Sequence, residues 1–216
     1  MINANAKAPG LIVFEGVDGA GKGVQSRALH KAMLTAHYPV ILTREPGGSV
    51  SAEAIRKLIV EGDTERWDAI SELLLIYAAR RSHLQETIFP NIKQGNWVIS
   101  DRFADSSRAF QGVAGGLGLD LVEQVHEIVV GEFKPLLTLV LDIDPKLSLQ
   151  RAEQRGGSED RFEQKGLIYQ KKVRKGFLKI VKNSKDTHAL IDASQSVESV
   201  QASIKEVVSR RLGLDL

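Results

Sequence analysis

The stretch "GLIVFEGVDGAGKG" at residues 10–23 restricts the fold of this chain more than any other. An apolar run of strand length leads into a turn rich in glycine, and a helix is predicted to begin near Lys22. Glycines let successive backbone N–H groups point inward at phosphate oxygens. The helix N-terminus adds the positive end of its dipole, and Lys22 adds a mobile charge. Gly16, Val17, Asp18, Gly19, Ala20, Gly21, Lys22 and Gly23 are therefore read as a cradle for nucleotide phosphates. A glycine-rich turn in a nucleotide-free α/β protein is the other reading. The Gly-Lys pair, after four intervening residues and between strand and helix, speaks against it. Gly23 stands where such loops carry a Ser or Thr whose hydroxyl holds magnesium. A metal would then rely on phosphate oxygens, water and a carboxylate from elsewhere. Asp101, ending a later strand in "WVISDRF", is the candidate, in the place of the acid that phosphate-loop enzymes keep there. Asp101 as a simple helix cap is the alternative.

The rest of the chain repeats the alternation that the first unit starts. "GLIVFE" (10–15), "PVILT" (39–43), "NWVIS" (96–100), "LLTLVLD" (136–142) and "HALID" (188–192) are short and mostly aliphatic. They lack polar alternation, as expected of strands covered on both faces of a parallel sheet. Longer segments with helical spacing lie between them. In 70–84, Ile70, Leu73, Leu74, Tyr77 and Leu84 fall on one stripe. Strands alternating with helices predict a three-layer α/β fold, in which ligands gather at the carboxyl ends of the strands. With 216 residues the simplest organisation is one domain, 1–216. Two stretches read as mobile loops: "GGSVSAE" (47–53), and a lid at about 150–163, "QRAEQRGGSEDRFE", with Gly156 and Gly157 at its tip.

Composition narrows the function classes. A net charge of +2 demands no nucleic-acid partner. The absence of cysteine excludes disulfides and thiolate metal sites, and the five histidines are scattered. Residues 1–9 lack the apolar run of a signal peptide, and "ELLLIYAA" is too short to span a bilayer. A cytoplasmic protein with no membrane partner is expected.

Several polar residues cluster near the predicted strand ends. "TREPGG" (43–48) offers Arg44, a planar fork for phosphate or carboxylate. It also offers Glu45, suited to a base or a metal-bound water; a surface Arg–Glu pair in an ordinary turn is as good a reading. "SDRFADSSRAFQG" (100–112) places Asp101 and Arg102 at a strand exit. In a helix Ser107 and Gln111 would share a face, and a glutamine amide both donates and accepts, as a nucleobase edge requires. A solvated polar face is the alternative. In "IYAARRSHL" (76–84), Ile76 and Arg80 lie one turn apart, a platform beside a guanidinium or simply a core helix with a basic side. The lid holds Arg151, Arg155 and Arg161, cations of the kind that a transferring phosphoryl group needs, or otherwise a solvated charge run. Asp144 before Pro145 reads as a helix N-cap.

Taken in order, "FEGVDGAGKG", "TREPGG", "ELLLIYAARRSHL", "DRFADSSRAFQG" and "RGGSEDRFE" resemble the thymidylate kinase family over nearly the whole chain. The resemblance implies a three-layer P-loop nucleotide kinase fold with a five-stranded parallel sheet flanked by helices. It implies transfer of the ATP γ-phosphoryl group to dTMP, giving dTDP, with Mg2+, by a homodimer. It also implies that an arginine of the lid, Arg155 or Arg151, bridges donor and acceptor. The family pattern puts the ATP phosphates on Gly16 to Gly23, with Lys22 on the β/γ side. Asp18 meets the 3′-hydroxyl of the acceptor, and Arg44 and Arg102 hold its phosphate. Arg80, Ser107 and Gln111 read the thymine, and Asp101 places the metal directly or through water. Three positions depart from the pattern: Ile76 where a stacking phenylalanine is common, Gly23 for Ser or Thr, and Val24 where Thr is frequent. Gly23 supports one competing reading, a divergent nucleotide-binding protein with weak or no transfer activity.

Overall fold

The computed structural model describes residues 7–63, 65–155 and 165–216, except for the side chains of Gln154 and Arg155. Five parallel strands form one sheet in the order β2-β3-β1-β4-β5: β1 Leu11–Gly16, β2 Val40–Arg44, β3 Trp97–Asp101, β4 Leu137–Asp142 and β5 His188–Asp192. Each begins within one residue of the run read from sequence. The central strand, β1, is buried along its whole length. Its side chains alternate between two cores, as the pleat requires. Ile12 and Phe14 join Leu29, Met33, Val200 and Ile204 on one side. Leu11 and Val13 join Leu73, Tyr77, Leu84 and Val122 on the other.

The connections are helical. Helix α1 (Lys22–Thr35) follows β1. Helices α2 (Val50–Val60), α3 (Ala69–His83) and α4 (Phe89–Lys93) lie between β2 and β3, with a π-helical turn at Leu84–Ile88. Helices α5 (Ala104–Ser107) and α6 (Leu119–Val129) flank a second π-helical stretch, Arg108–Ala114. Helices α7 (Pro145–Arg155) and α8 (Gly166–Asn183) join β4 to β5, and α9 (Val197–Leu212) closes the chain. The Asp144 carboxylate accepts from Lys146 N at 2.8 Å, so the Asp-Pro pair does begin α7. Register brings Phe14 and Arg44 level with Asp101 across the sheet. The carboxyl ends of β1, β2 and β3 thus open onto one crevice.

Two expectations need correction. Residues 47–53 are not a loop throughout: α2 begins at Val50, with the Ser49 hydroxyl accepting from Ala52 N at 3.3 Å. Glu53 reaches back to Gly48 N at 2.9 Å, so the first turn is capped from both sides. The stripe on α3 also divides. Leu73, Tyr77 and Leu84 are buried, whereas Ile70 and Leu74 are 51% and 53% exposed. Most of the lid read at 150–163 lies outside the described residues. That includes the side chain of Arg155 and all of Arg161; Arg151 lies in α7.

Candidate active site

The phosphate loop is shaped by backbone that only glycine adopts freely. A Cβ on Gly19 would lie 1.9 Å from the Ser148 carbonyl oxygen, so no side chain fits there. Gly21, at φ 90°, is the N-cap of α1 and offers no side-chain cap. The first N–H groups of the helix are therefore left for an anion. Lys22 folds back into the loop, its ammonium donating to Val17 O at 2.8 Å and Gly16 O at 3.2 Å. Burial, aided by the nearby Arg102 charge, pushes its pKa down to about 8. Phosphate oxygens beside the ammonium would reverse that shift. Binding of ATP near pH 8.5 should therefore take up a fraction of a proton at Lys22. Calorimetry in buffers of different ionisation heat would read it, and uptake retained in a Lys22→Met variant would assign the proton elsewhere.

Arg102 adjoins the loop. Its backbone is left-handed at φ 75°, a conformation costly for a bulky residue unless the surroundings impose it. Three contacts do so. Arg102 N donates to Phe14 O at 2.8 Å, and the Ser100 hydroxyl donates to Arg102 O at 2.8 Å. Buried Glu15 accepts from Phe103 N, Ser106 N and the Ser106 hydroxyl at 2.6–3.0 Å. Burial, and Asp105 nearby, raise the pKa of Glu15 to about 7 against the opposing pull of Arg102. The turn is thereby tied to β1, and the guanidinium is aimed. It donates to Gly16 O (3.0 Å), to the Ser106 hydroxyl (3.0 Å) and to Asp18 Oδ1 (2.6 Å). Gln170 of α8 donates to the second Asp18 oxygen at 3.1 Å.

A cavity of about 130 Å³ opens beside Asp18 and Arg102. Six of the seven residues assigned to the acceptor line it: Asp18, Ile76, Arg80, Arg102, Ser107 and Gln111. They come from the β1 loop, α3, the β3 exit, α5 and the second π-helical stretch. Arg80 is 1% exposed, and each of its three guanidinium nitrogens donates. It donates to Glu45 at 2.7 Å, to the Ser107 hydroxyl at 3.0 Å and to Phe103 O at 2.9 Å, and its charge lies 4.5 Å from the centre of the Tyr77 ring. Burial would raise the pKa of Glu45, but Arg80 and His83 outweigh it and hold the carboxylate below its ordinary value. His83 bonds Glu45 at 3.0 Å through Nδ1 and Thr43 at 2.7 Å through Nε2. Gln111 donates to buried Glu72 at 2.8 Å, which fixes which end of its amide is which.

Other assignments stand apart from the cavity. Arg44, at the end of β2, is half exposed and pairs with Glu53 at 3.3 Å, whereas its neighbour Glu45, read from sequence as its possible surface partner, is buried against Arg80 and His83. Arg151 donates to Ala193 O at 2.9 Å, beside the loop that follows β5. Asp101 caps no helix, since Phe103 is the N-cap of α5. A Cβ on Gly23 would lie 3.4 Å from Asp101 Oδ2. Among the described residues no group of three carboxylates or histidines could hold a metal by itself. One carboxylate at the mouth of a phosphate loop suits magnesium, which keeps several waters and borrows oxygens from the nucleotide. Sequence reading missed Arg56 and Phe110, which line the cavity, and Glu15, Glu72 and His83, which orient its walls. Only Arg56 carried a signal, its charge on an apolar helix.

The family model described as "Thymidylate kinase" matches residues 14–204. A thymidylate kinase of Caulobacter vibrioides is 47% identical over 203 residues, covering 94% of this chain and 97% of the relative. One from Symbiobacterium thermophilum is 40% identical, covering 93% of each. The crystal structure of thymidylate kinase from Ehrlichia chaffeensis superposes with a TM-score of 0.74 at 31% identity, covering 94% of this chain and all of the other.

Proposed function

The chain belongs to the thymidylate kinase family, and on that premise we propose how its residues act on the two nucleotides. The activity is transfer of the γ-phosphoryl group of ATP to dTMP, giving dTDP and ADP. The single observation that carries the residue assignment is the position of Arg102. One guanidinium touches the phosphate loop at Gly16 and Asp18 and also lines the cavity. Donor phosphates on the loop and an acceptor phosphate at the cavity mouth would meet at that charge.

In this reading Gly16 to Gly23 cradle the ATP phosphates, and Lys22 leaves its loop carbonyls for the β/γ oxygens. Asp18 accepts the acceptor 3′-hydroxyl. Ile76 packs on the thymine, and Arg80, Ser107 and Gln111 read its edge. Arg102 and, from the rim, Arg44 hold the acceptor phosphate. Asp101 would hold a magnesium ion, whose charge neutralises the phosphate oxygens. A lid arginine, Arg155 or Arg151, is assigned to the transferring group by family resemblance alone. An acceptor phosphate oxygen attacks the γ-phosphorus in line as the bond to the bridging oxygen of ADP breaks. That oxygen is already ionised near neutral pH, so no general base is needed, and catalysis is positioning and charge neutralisation. Nothing among the relatives supports the competing reading of a protein without transfer activity. ADP release that requires dTMP over dUMP, dGMP or no acceptor tests the proposal; acceptor-independent turnover, or none, would sink it.

The cavity wall at Ile76 is aliphatic, with Ile59 and Val60 behind it. An aromatic ring there would add a stacking term of about 1 kcal/mol. Ile76→Phe should therefore lower the KM for dTMP about fivefold with kcat little changed. A raised KM would mean that the packed wall cannot admit the ring.

The same reading carries a single domain, a cytoplasmic location and a homodimer. Among the described residues no helix is long and apolar enough to cross a membrane. The dimer is supported by exposed Ile70 and Leu74 on α3 and Ile128 on α6. Those helices are joined by Arg81, which donates to Val129 O at 3.0 Å. Light scattering that reads a monomer would remove that part.

A further inference from the structure

Gly23 and Arg27 lie four residues apart in α1, on one face of the helix. Helical side chains lean towards the N-terminus, which carries the guanidinium of Arg27 back over the glycine. A Cβ on Gly23 would stand 3.3 Å from Arg27 Nη1 and 3.4 Å from Asp101 Oδ2. A cation and a carboxylate thus flank the volume that the usual hydroxyl side chain would fill. Among the described residues no carboxylate forms an ion pair with Arg27, although Asp101 is so close to the same point. A guanidinium has donors only and cannot ligate a metal. Its planar fork matches phosphate oxygens.

We propose that Arg27 is a donor-binding residue, reaching across the missing side chain of Gly23 to the ATP phosphates beside Asp101. Direct pairing with the triphosphate then supplies part of the attraction that a hydroxyl-held metal supplies in other phosphate loops. The missing hydroxyl leaves the loop open to a second fixed charge. The inference rests on the reading of Gly16 to Gly23 as the ATP site.

Equilibrium binding of a non-hydrolysable ATP analogue, with saturating magnesium and with EDTA, tests it. The wild type, Arg27→Ala and Gly23→Ser are compared. Arg27→Ala should weaken metal-free binding about tenfold, the scale of one charged hydrogen bond, and weaken binding in magnesium less. Gly23→Ser puts a side chain where the guanidinium reaches. It should also bind more weakly in EDTA and gain more from magnesium than the wild type. Arg27 is exposed, so its thermal midpoint should not move. Equal metal-free affinity of wild type and Arg27→Ala would overturn the proposal, as would an equal loss in both conditions. Binding by no variant in either condition would remove the donor site itself, and the proposal with it.

Discussion

Lys22→Met should lower turnover of ATP and dTMP by about 10²–10³, the usual cost of removing one preorganised charge from a transition state. Thermal stability should hardly change. The ammonium is buried in the loop, and the fall of its pKa to about 8 reflects the cost of that burial. Methionine fills a similar volume without a charge to desolvate. The variant also leaves Gly16 O and Val17 O without their donor, a loss that water at the loop mouth can make good. A large fall in kcat at constant melting temperature is therefore the signature of a charge held for the reaction. A fall in activity matched by unfolding would show that Lys22 instead holds the loop together.

The second large effect is expected at Arg80. Truncation to alanine strips Glu45 of its buried cationic partner and leaves the Ser107 hydroxyl and Phe103 carbonyl without their donor. Breaking a buried pair from one side costs roughly 3–5 kcal/mol. In a chain of this length that is a melting temperature lower by roughly 10 °C. The double variant Arg80→Leu, Glu45→Gln removes both charges and should recover much of that stability. It should not recover dTMP binding, because the guanidinium lining the cavity is gone. Calorimetric melting and dTMP titration on both variants separate the two roles. Recovery of dTMP affinity in the double variant would make Arg80 a structural residue and nothing more.

These two residues mark the limits of what the sequence tells. Lys22 is legible because strand, loop and helix are contiguous, and local geometry decides where its charge goes. The strands are legible for a related reason: both faces of a central parallel strand are covered, so runs such as "GLIVFE" carry no polar alternation. Arg80 shows on a helix, but its partners Glu45 and Ser107 are 35 and 27 residues away. No spacing rule connects them. Glu15 is hidden more completely. It is the last residue but one of β1, and it stays buried because the β3 exit turn brings two N–H groups and a hydroxyl to it. The first turn of α2 was obscured by Gly47 and Gly48, which read as loop although Ser49 and Glu53 form a cap. Ile70 and Leu74 show the converse. Helical period finds the stripe, but only the placement of neighbouring helices decides which part of it is covered.

A structure of the protein with dTMP and a non-hydrolysable ATP analogue tests the central claim most directly. The thymine should lie on Ile76 between Arg80 and Gln111, with the two phosphate tails meeting at Arg102 above Lys22. A dTMP molecule seated outside this cavity, or phosphates that approach each other away from Arg102, would contradict the account.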